Sequence, residues 1–316
     1  MQEEVRSVHV GIDVGKAYLD IHVHPLGDAM RVTNDARGHR ALVARLASLD
    51  VALVVMEPTG RYHRAAHRCL HDAGLAVAVV DPLRARLFAQ ACGKRAKTDA
   101  IDAAALARMA AQLDPAPVAP PSQEQEALQE LAGARQAAIA ERIAIANRLG
   151  AAATPFLRRE LTTRLRAIDR HLERLDAHVH AIVQADPELD RKASILRSIP
   201  GVGPVTTLAF LAQLAEIGRI SGKQIASLAG LAPHPRESGT IQAKRRIQGG
   251  RAALRRALYM AALVASRRNP DMQRCYQNLT ARGKPPKLAL AAVARKIVVL
   301  ANRLVAENRT WSPIHA

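Results

Sequence analysis

The sequence predicts a mixed α/β domain at the N-terminus and an all-helical remainder. Alternating apolar and β-branched residues mark three strands before residue 35, and strand and helix patterns then alternate to about residue 112. A segment with four prolines, 113–123, interrupts these patterns, and an apolar repeat with helical spacing follows it. We therefore expect an α/β domain over 1–112, a linker with coiled-coil-like helices over 113–190, and a helical domain over 191–316.

The N-terminal elements follow one another in a definite order. The first three strands are predicted in VRSVHVGIDVG, AYLDIHVHP and DAMRVTND, the last ending near Asn34. A helix over 37–49, the strand VALVVME ending at Glu57, a helix over 60–73 and the strand AVAVVDP come next. A short helix from Leu83 and another starting near Thr98 complete the domain. Three meandering strands followed by strand–helix alternation indicate a mixed sheet.

The segment after the prolines carries an a/d repeat over about three heptads. Its apolar residues are spaced 4, 3, 4, 3, 4 and 3, and they are Leu161, Leu165, Ile168, Leu172, Leu175, Val179 and Ile182. This spacing favours a coiled-coil-like hairpin that would dimerise the protein if two such seams met between subunits. The alternative is a helix that packs inside one globule.

Net charge points to a polyanionic partner. The chain has 46 Lys and Arg against 28 Asp and Glu, a formal charge of +18 that is spread along its length. Nucleic acid is the first expectation, with a solvated basic surface or a ribosome-associated protein as the alternative. Because aromatic residues make up only 3%, contact with phosphates is favoured over stacking of bases on rings.

The sequence suggests a cytoplasmic, nucleoid-associated protein and no membrane contact. Cys69, Cys92 and Cys275 lie far apart, without the spacing of a zinc site or a disulfide framework. The start, MQEEVRS, is polar and resembles no signal peptide. No apolar run approaches the ~20 residues of a membrane span.

Four carboxylates are candidates for a metal site. Asp13 lies in the first strand, Glu57 ends a later strand, and Asp99 and Asp102 lie three apart at the start of a helix. Such a set could bind two Mg²⁺ ions about 4 Å apart, which would clamp the attacking and leaving oxygens of a phosphodiester.

Each carboxylate also has a simpler interpretation. Asp99 and Asp102 resemble a helix N-cap and its partner three residues on, and Glu57 before Pro58 could merely end a strand. GIDVG resembles the phosphate-binding strand of actin-like ATPases, although a second phosphate loop and a Gly-Gly adenosine motif are missing from the sequence. The order of the four residues along the predicted elements favours the metal site.

Two further segments suggest contact with nucleic acid. In LRSIPGVGPVTTLAFLAQL (196–214), Gly201 and Gly203 would let backbone N–H groups approach a phosphate in a helix-hairpin-helix. The alternative is a glycine turn between packed helices. The second segment is a Pro/Gly-rich loop with Ser238 among basic residues, namely Arg236, Lys244, Arg245, Arg246 and Arg251.

A serine hydroxyl in that basic setting could attack a phosphodiester, and the cations would stabilise the pentacoordinate phosphorus. Taken alone, Ser-Gly is more commonly just a turn. Tyr259 and Tyr276 are rival nucleophiles, although Tyr259 lies in an apolar helix pattern that favours packing.

The chain resembles the transposases of the insertion sequence 110 type. The similar segments are GIDVGKAYLDIHV, MEPTGRYHRAA, KTDAIDAAALARMA, IPGVGP through GLAPHPRESG to GGRAALRRALYMAAL, and GKPPKLALAAVARKIVVLANRL. They cover most of 8–112 and 194–305 in the expected order. Gly15 departs from the pattern, because members of the family often carry a polar residue there.

The resemblance implies a RuvC-like, RNase H-fold N-terminal domain whose Mg²⁺-binding Asp-Glu-Asp-Asp set would be Asp13, Glu57, Asp99 and Asp102. It implies a C-terminal transposase domain with Ser238 as the nucleophile. It also implies a homo-oligomer, dimer or tetramer, with a site shared between subunits. The partners would be double-stranded donor and target DNA and a structured guide RNA encoded beside the gene.

The expected function is thus Mg²⁺-dependent DNA cleavage and strand exchange through a phosphoserine intermediate. One alternative is a RuvC-like junction-resolving nuclease in which water attacks and Ser238 is only a turn. Another is a non-catalytic nucleic-acid-binding protein in which the carboxylates cap helices and form salt bridges.

Overall fold

A computed structural model gives the fold of residues 7–93, 99–238 and 241–313. It describes their side chains except those of 99–100, 234–238 and 241–245. The chain divides into two compact units, Met1–Pro120 and Pro121–Ala316.

The first unit is built on a five-stranded mixed sheet in the order β3-β2-β1-β4-β5. The central strand β1 pairs antiparallel with β2 and parallel with β4, while β2–β3 is antiparallel and β4–β5 parallel. The strands are β1 Val8–Val14, β2 Tyr18–His24, β3 Asp28–Thr33, β4 Val51–Met56 and β5 Val77–Val79. The predicted mixed α/β domain is confirmed.

Four helices cover this sheet, namely α1 Ala36–Leu46, α2 His63–Asp72, α3 Pro82–Ala91 and α4 Asp99–Leu113. Local chemistry fixes where two of them begin. Asp35 caps α1 by accepting from the backbone N–H groups of Arg37 and Gly38 at 2.9 and 2.8 Å. Asp81 caps α3 in the same way, and Pro82 occupies the first helical turn, where no N–H partner is needed.

Strand β1 is covered on both faces. Val8, Val10, Ile12 and Val14 are buried in a cluster with apolar residues of α1 and α2. Because side chains alternate along a strand, His9, Gly11 and Asp13 point to the other face. Helix α4 packs against β1 and β2. The face that carries Asp13 is therefore the face that α4 covers.

The second unit begins with a long helical hairpin made of α5 Gln123–Ala151 and α6 Pro155–Ala185. Ion pairs join the helices, among them Arg135 Nε to Asp176 Oδ1 and Arg142 Nε to Asp169 Oδ1, both at 2.6 Å. The partners run in opposite directions along the chain, as two antiparallel helices require. Within the predicted seam Leu161 is buried and the other members are half-buried. Dimerisation through this seam stays a prediction.

The remaining helices form one core with α12 Pro286–Ala306, whose inner face is buried there. They are α7 Pro187–Arg197, α8 Pro204–Gln213, α9 Gly222–Leu228, α10 Ala252–Arg268 and α11 Pro270–Ala281. Buried Gln125 joins α5 to this core by donating from Nε2 to the carbonyls of Leu211 and Ala212 at 2.7 and 3.0 Å. In the described part of the chain, no helix has the length and apolar character of a membrane span.

The prediction of an exclusively helical C-terminal region is wrong for residues 233–247. Strands β6 Pro233–Ser238 and β7 Ile241–Ile247 form an antiparallel pair there. Pro233 and Pro235 lack the N–H that a helix interior needs, whereas an edge strand tolerates the loss. The segment with Ser238, predicted as a loop, is therefore a β-hairpin.

Candidate functional site

Three of the four predicted carboxylates line one pocket of about 490 Å³ in the first unit. Asp13 comes from β1, Glu57 directly follows β4, and Asp102 lies on α4. All three residues are half-buried. The structure thus brings together side chains that are up to 89 positions apart in the sequence.

The parallel pairing of β1 with β4 explains the proximity of two of these residues. Ile12 pairs with Met56, so the residues that follow, Asp13 and Glu57, occupy neighbouring positions at the carboxyl ends of the strands. Residues at matching positions of adjacent strands point to the same side of a sheet. The local register therefore directs both carboxylates to one side.

Helix α4 brings Asp102 to the same side because it lies very close to β1 at Gly11. A Cβ atom on Gly11 would be 2.1 Å from the carbonyl oxygen of Ala103 and 2.3 Å from the amide nitrogen of Ala107. A side chain at position 11 would therefore hold the helix away from the strand. Ala103 and Ala107, both completely buried, place only methyl groups on the helix side of this contact.

Asp99 is the first residue of α4, three positions before Asp102. Its side chain lies outside the described part of the structure. Among the described side chains, no three His, Cys, Asp or Glu residues form a group that could hold a metal ion. The metal role of the four carboxylates stays a prediction.

Sequence reasoning missed a fourth acidic residue of the pocket, Asp20. It pairs with Asp13 in the β1–β2 register, which places both on one face of the sheet. Arg31 on β3 binds both carboxylate oxygens of Asp20, with N–O distances of 2.9 and 3.0 Å. Since this pairing offsets the charge of Asp20, the residue differs in chemistry from the other pocket carboxylates. Lys16 adds a positive charge to the lining.

Ser238 is the last residue of β6, and its backbone pairs with that of Ile241 at the start of β7. The side chains of Ser238, Arg236, Lys244 and Arg245 lie outside the described part of the structure. Arg246 is exposed near the end of β7. The nucleophile and nucleic-acid roles of these residues stay predictions.

Arg251 lies at the base of this hairpin and is held by internal partners. Its guanidinium donates to both carboxylate oxygens of Glu216, at 2.9 and 2.6 Å, and to the carbonyl of Gln213. Burial alone would raise the pKa of Glu216, but the hydrogen bonds and charge of Arg251 hold that pKa below its ordinary value. The predicted contact of Arg251 with nucleic acid stays untested, and in this structure its donors anchor the hairpin.

The glycine turn joins α7 to α8. Gly201 has φ +104° and packs on α10, where an added Cβ would be 2.8 Å from the amide nitrogen of Ala265. Gly203 precedes α8 without a side-chain cap, is exposed, and has open space at its Cβ position. The structure thus gives Gly201 a packing reason for being glycine, while Gly203 leaves the helix start accessible.

The rival tyrosines take part in the core. Tyr259 on α10 and Tyr276 on α11 are half-buried and pack against the main cluster of the second unit. Packing is thus the observed role of both rings.

Two family models match the chain. A transposase model named for the DEDD residues and for IS110 matches residues 10–155, and the transposase model of the IS116/IS110/IS902 family matches residues 193–277. Together they cover more than two thirds of the sequence.

Individual proteins with similar sequences include the pilin gene-inverting protein of Moraxella bovis. It is 28% identical over 96% of this chain and 98% of its own length. The uncharacterized 43.6 kDa protein of insertion element IS110 from Streptomyces coelicolor is 31% identical over 43% of this chain and 33% of its own.

A solved structure, T. thermophilus RuvC in complex with a Holliday junction substrate, aligns with 35% of this chain and 99% of its own, at 16% identity and a TM-score of 0.27. A score this low carries no weight for fold or function. The family assignment depends instead on the two family matches, which occur in the order expected from the sequence. The chain therefore belongs to the IS116/IS110/IS902 family of transposases, enzymes that cleave and rejoin DNA.

Proposed function

We propose that this transposase cuts DNA with the carboxylate pocket of its first unit and the serine of its second. The observation that carries the proposal is the convergence of Asp13, Glu57 and Asp102 on one pocket. The proposed fold of this unit is RNase H-like, and the substrate is double-stranded DNA at a donor and a target site.

The chemistry of the donor set suits a hard divalent cation, because carboxylate oxygens are the ligands that Mg²⁺ prefers. Asp99 would have to complete the group, since the described side chains alone form none. Asp13, Glu57 and Asp102, with Asp99 one helical turn before Asp102, would hold one or two ions. When bound, Mg²⁺ would neutralise charge on the scissile phosphate. Lys16 in the lining would attract the same phosphate, and Arg31 would keep Asp20 from repelling it.

The chemical step that we propose is attack by the Ser238 hydroxyl oxygen on a phosphodiester phosphorus. A bond from the serine oxygen to phosphorus forms, the bond to one deoxyribose oxygen breaks, and the proton lost by serine balances the one gained by the leaving hydroxyl. A hydroxyl of another DNA end then attacks the phosphoserine and releases the serine. No external energy source is needed, since each broken phosphoester is replaced by another.

Further parts of the proposal rest on the family. We propose that a structured RNA encoded beside the gene pairs with both DNA sites, while the protein contacts backbone and shape. We also propose a dimer or tetramer in which the carboxylates of one subunit act with Ser238 of another. The name of the Moraxella relative, pilin gene-inverting protein, agrees with recombination between two DNA sites.

The test is recombination in vitro with the full chain, its RNA and both DNA sites. Ser238→Ala should abolish recombination and the covalent protein–DNA adduct while leaving DNA binding intact. Asp13→Asn should abolish Mg²⁺-dependent strand cleavage. Cleavage by Ser238→Ala without an adduct would show a hydrolytic junction-resolving nuclease instead, and DNA binding without any cleavage by the unmodified protein would show a non-catalytic binder.

A further inference from the structure

Asn34, directly after β3, joins the two loops that follow the carboxylate-bearing strands. Its side-chain nitrogen Nδ2 donates to the carbonyl of Gly15 at 2.8 Å and to the carbonyl of Tyr62 at 3.1 Å. Gly15 lies two residues after Asp13, and Tyr62 lies five residues after Glu57. One amide group therefore links both loops, using both of its N–H donors.

The orientation of this amide is determined by its neighbours. Two backbone carbonyls, which only accept hydrogen bonds, contact the same terminal atom of Asn34, so that atom is the nitrogen. The other atom, Oδ1, lies 2.7 Å from Nε2 of His39, which must then carry the proton and donate. His39 is buried on α1, and its burial lowers the pKa of the imidazole below the ordinary value.

The backbone around Asn34 is fixed as well. The Asn34 N–H donates to the carbonyl of Ala17 at 2.9 Å, in the turn between β1 and β2. The next residue, Asp35, caps α1 and accepts from the hydroxyl of Thr33 at 3.0 Å. The backbone of Asn34 is therefore held on both sides, by the β1–β2 turn and by the start of α1, and its side-chain amide adds the link to the loop after β4.

The segment between Glu57 and α2 is a short turn in which the Tyr62 N–H donates to the carbonyl of Thr59 at 3.0 Å. It contains Pro58, which has no N–H, and Gly60, which adopts φ +51°. The turn after Asp13 closes through a hydrogen bond from Gly15 to the carbonyl of Tyr18 at 2.9 Å. Loss of the Asn34 amide would remove one hydrogen bond from each of these two loops, next to two carboxylates of the pocket.

We infer that Asn34 is a positioning residue that sets the spacing of Asp13 and Glu57 for cation binding, with His39 orienting its amide. The inference rests on the proposed function of the pocket. Residues that orient metal ligands typically change metal affinity by ~10–100-fold when they are substituted. Asn34 touches neither DNA nor metal in this scheme, so its effect passes through the two loops.

The test compares Asn34 with a second asparagine whose side chain also forms hydrogen bonds with two backbone groups in loops. Asn302 on α12 donates from Nδ2 to the carbonyl of Ile220 at 2.7 Å and accepts from the Gly218 N–H at 2.8 Å, but it lies in the other unit. Asn34→Leu and Asn302→Leu both remove an amide while keeping the branching of the side chain and adding no charge. Mn²⁺ binding to the full chain, followed by electron paramagnetic resonance of the free ion, is the main measurement.

We expect Asn34→Leu to weaken Mn²⁺ binding by ~10–100-fold, Asn302→Leu to leave it unchanged, and Asp13→Asn to abolish it. Hydrogen exchange should also rise at residues 15–18 and 59–62 in Asn34→Leu alone. If Asn34→Leu does not fold, Asn34→Ala, which introduces no new bulk, takes its place.

Three results would contradict this expectation. Unchanged Mn²⁺ affinity in Asn34→Leu, with binding lost in Asp13→Asn, overturns the positioning role and leaves the proposed function standing. Equal weakening by Asn302→Leu would mean a general loss of stability and also overturns that role. Unchanged binding in Asp13→Asn overturns the proposed metal pocket itself, and the inference about Asn34 with it.

Discussion

Gly11 is the position at which one methyl group should separate the carboxylates of the pocket. In Gly11→Ala the new Cβ would be 2.1 Å from the Ala103 carbonyl oxygen, while real Cβ contacts essentially never fall below 3.0 Å. Helix α4 must therefore move away from β1 by about 1 Å. Asp102 precedes Ala103 on that helix and moves with it, while Asp13 stays on β1.

Gly11→Ala should reduce both the free energy of unfolding and the rate of DNA cleavage. Overpacking a core contact of this kind reduces the free energy of unfolding by about 1–3 kcal/mol. A displacement of about 1 Å in a catalytic group can reduce the rate by about 100-fold. We therefore expect Gly11→Ala to remain folded, to bind Mn²⁺ more weakly and to cleave DNA about 100-fold more slowly.

The assay needs a control that loses stability without moving α4. Leu70 on α2 is buried in the cluster on the opposite face of the sheet, and Leu70→Ala should cost about 2–5 kcal/mol. Cleavage rates and urea unfolding would be measured on both variants at a temperature where both are folded. Wild-type cleavage by Gly11→Ala, or an equal loss of cleavage in folded Leu70→Ala, would refute the reasoning.

Two further predictions concern the second unit and are measured by urea unfolding. Gly201→Ala should lose about 2–3 kcal/mol, because its Cβ would meet Ala265 and its φ is +104°, whereas Gly203→Ala should lose less than about 1 kcal/mol; equal losses would contradict this. Arg251→Met should lose about 1–2 kcal/mol near neutral pH, allowing for partial exposure of the pair with Glu216. Because the pKa of Glu216 is lower in the folded state, the contribution of the Arg251–Glu216 pair to stability is present above the ordinary pKa of 4.5 and disappears as the pH falls through the folded-state pKa. A stability difference between Arg251→Met and wild type that does not shrink in acid would contradict this role of the pair.

The sheet and its two helical layers follow from the sequence because their signals are local. The alternation in the first three segments places β1, β2 and β3, and the apolar run before Glu57 places β4. The mixed α/β domain is confirmed on this basis, whereas the all-helical prediction for the rest fails at the β6–β7 pair. To predict that Asp13, Glu57 and Asp102 converge, one needs in addition only the parallel register of β1 with β4 and the direction of α4.

The contacts that shape the pocket depend on pairs that no local pattern links. Gly11 is plainly a glycine in a strand, but its partner Ala103 lies 92 residues further on. The link from Asn34 to Gly15 and Tyr62 depends on how three loops meet, and Asp20 reaches the pocket only through the register that the β1–β2 turn sets. Such long-range geometry leaves no trace in spacing or composition.

The β-hairpin was overlooked although its sequence carried a signal. Polar and apolar residues alternate from Ile241 to Ala243, and Ile247 closes the run. The pair Gly239-Thr240, whose structure lies outside the described residues, separates the two runs by the length typical of a hairpin connection. The basic residues and prolines suggested a loop because they obscured this alternation.

The chain leaves the helical core at Gly230 and returns to it at Gly250. The backbones of the two segments lie so close together there that a Cβ atom added to either glycine would overlap backbone atoms of the other segment. Arg251 donates its backbone N–H to the Leu228 carbonyl at 2.8 Å, and Arg255 ties down the Gly249 carbonyl at 2.6 Å. Because both ends of the β6–β7 hairpin are held at one place, the hairpin can become longer or shorter without changing the packing of the helices below it. Evolution could thus alter how far Ser238 reaches by adding or deleting paired residues, while the same helices continue to support it.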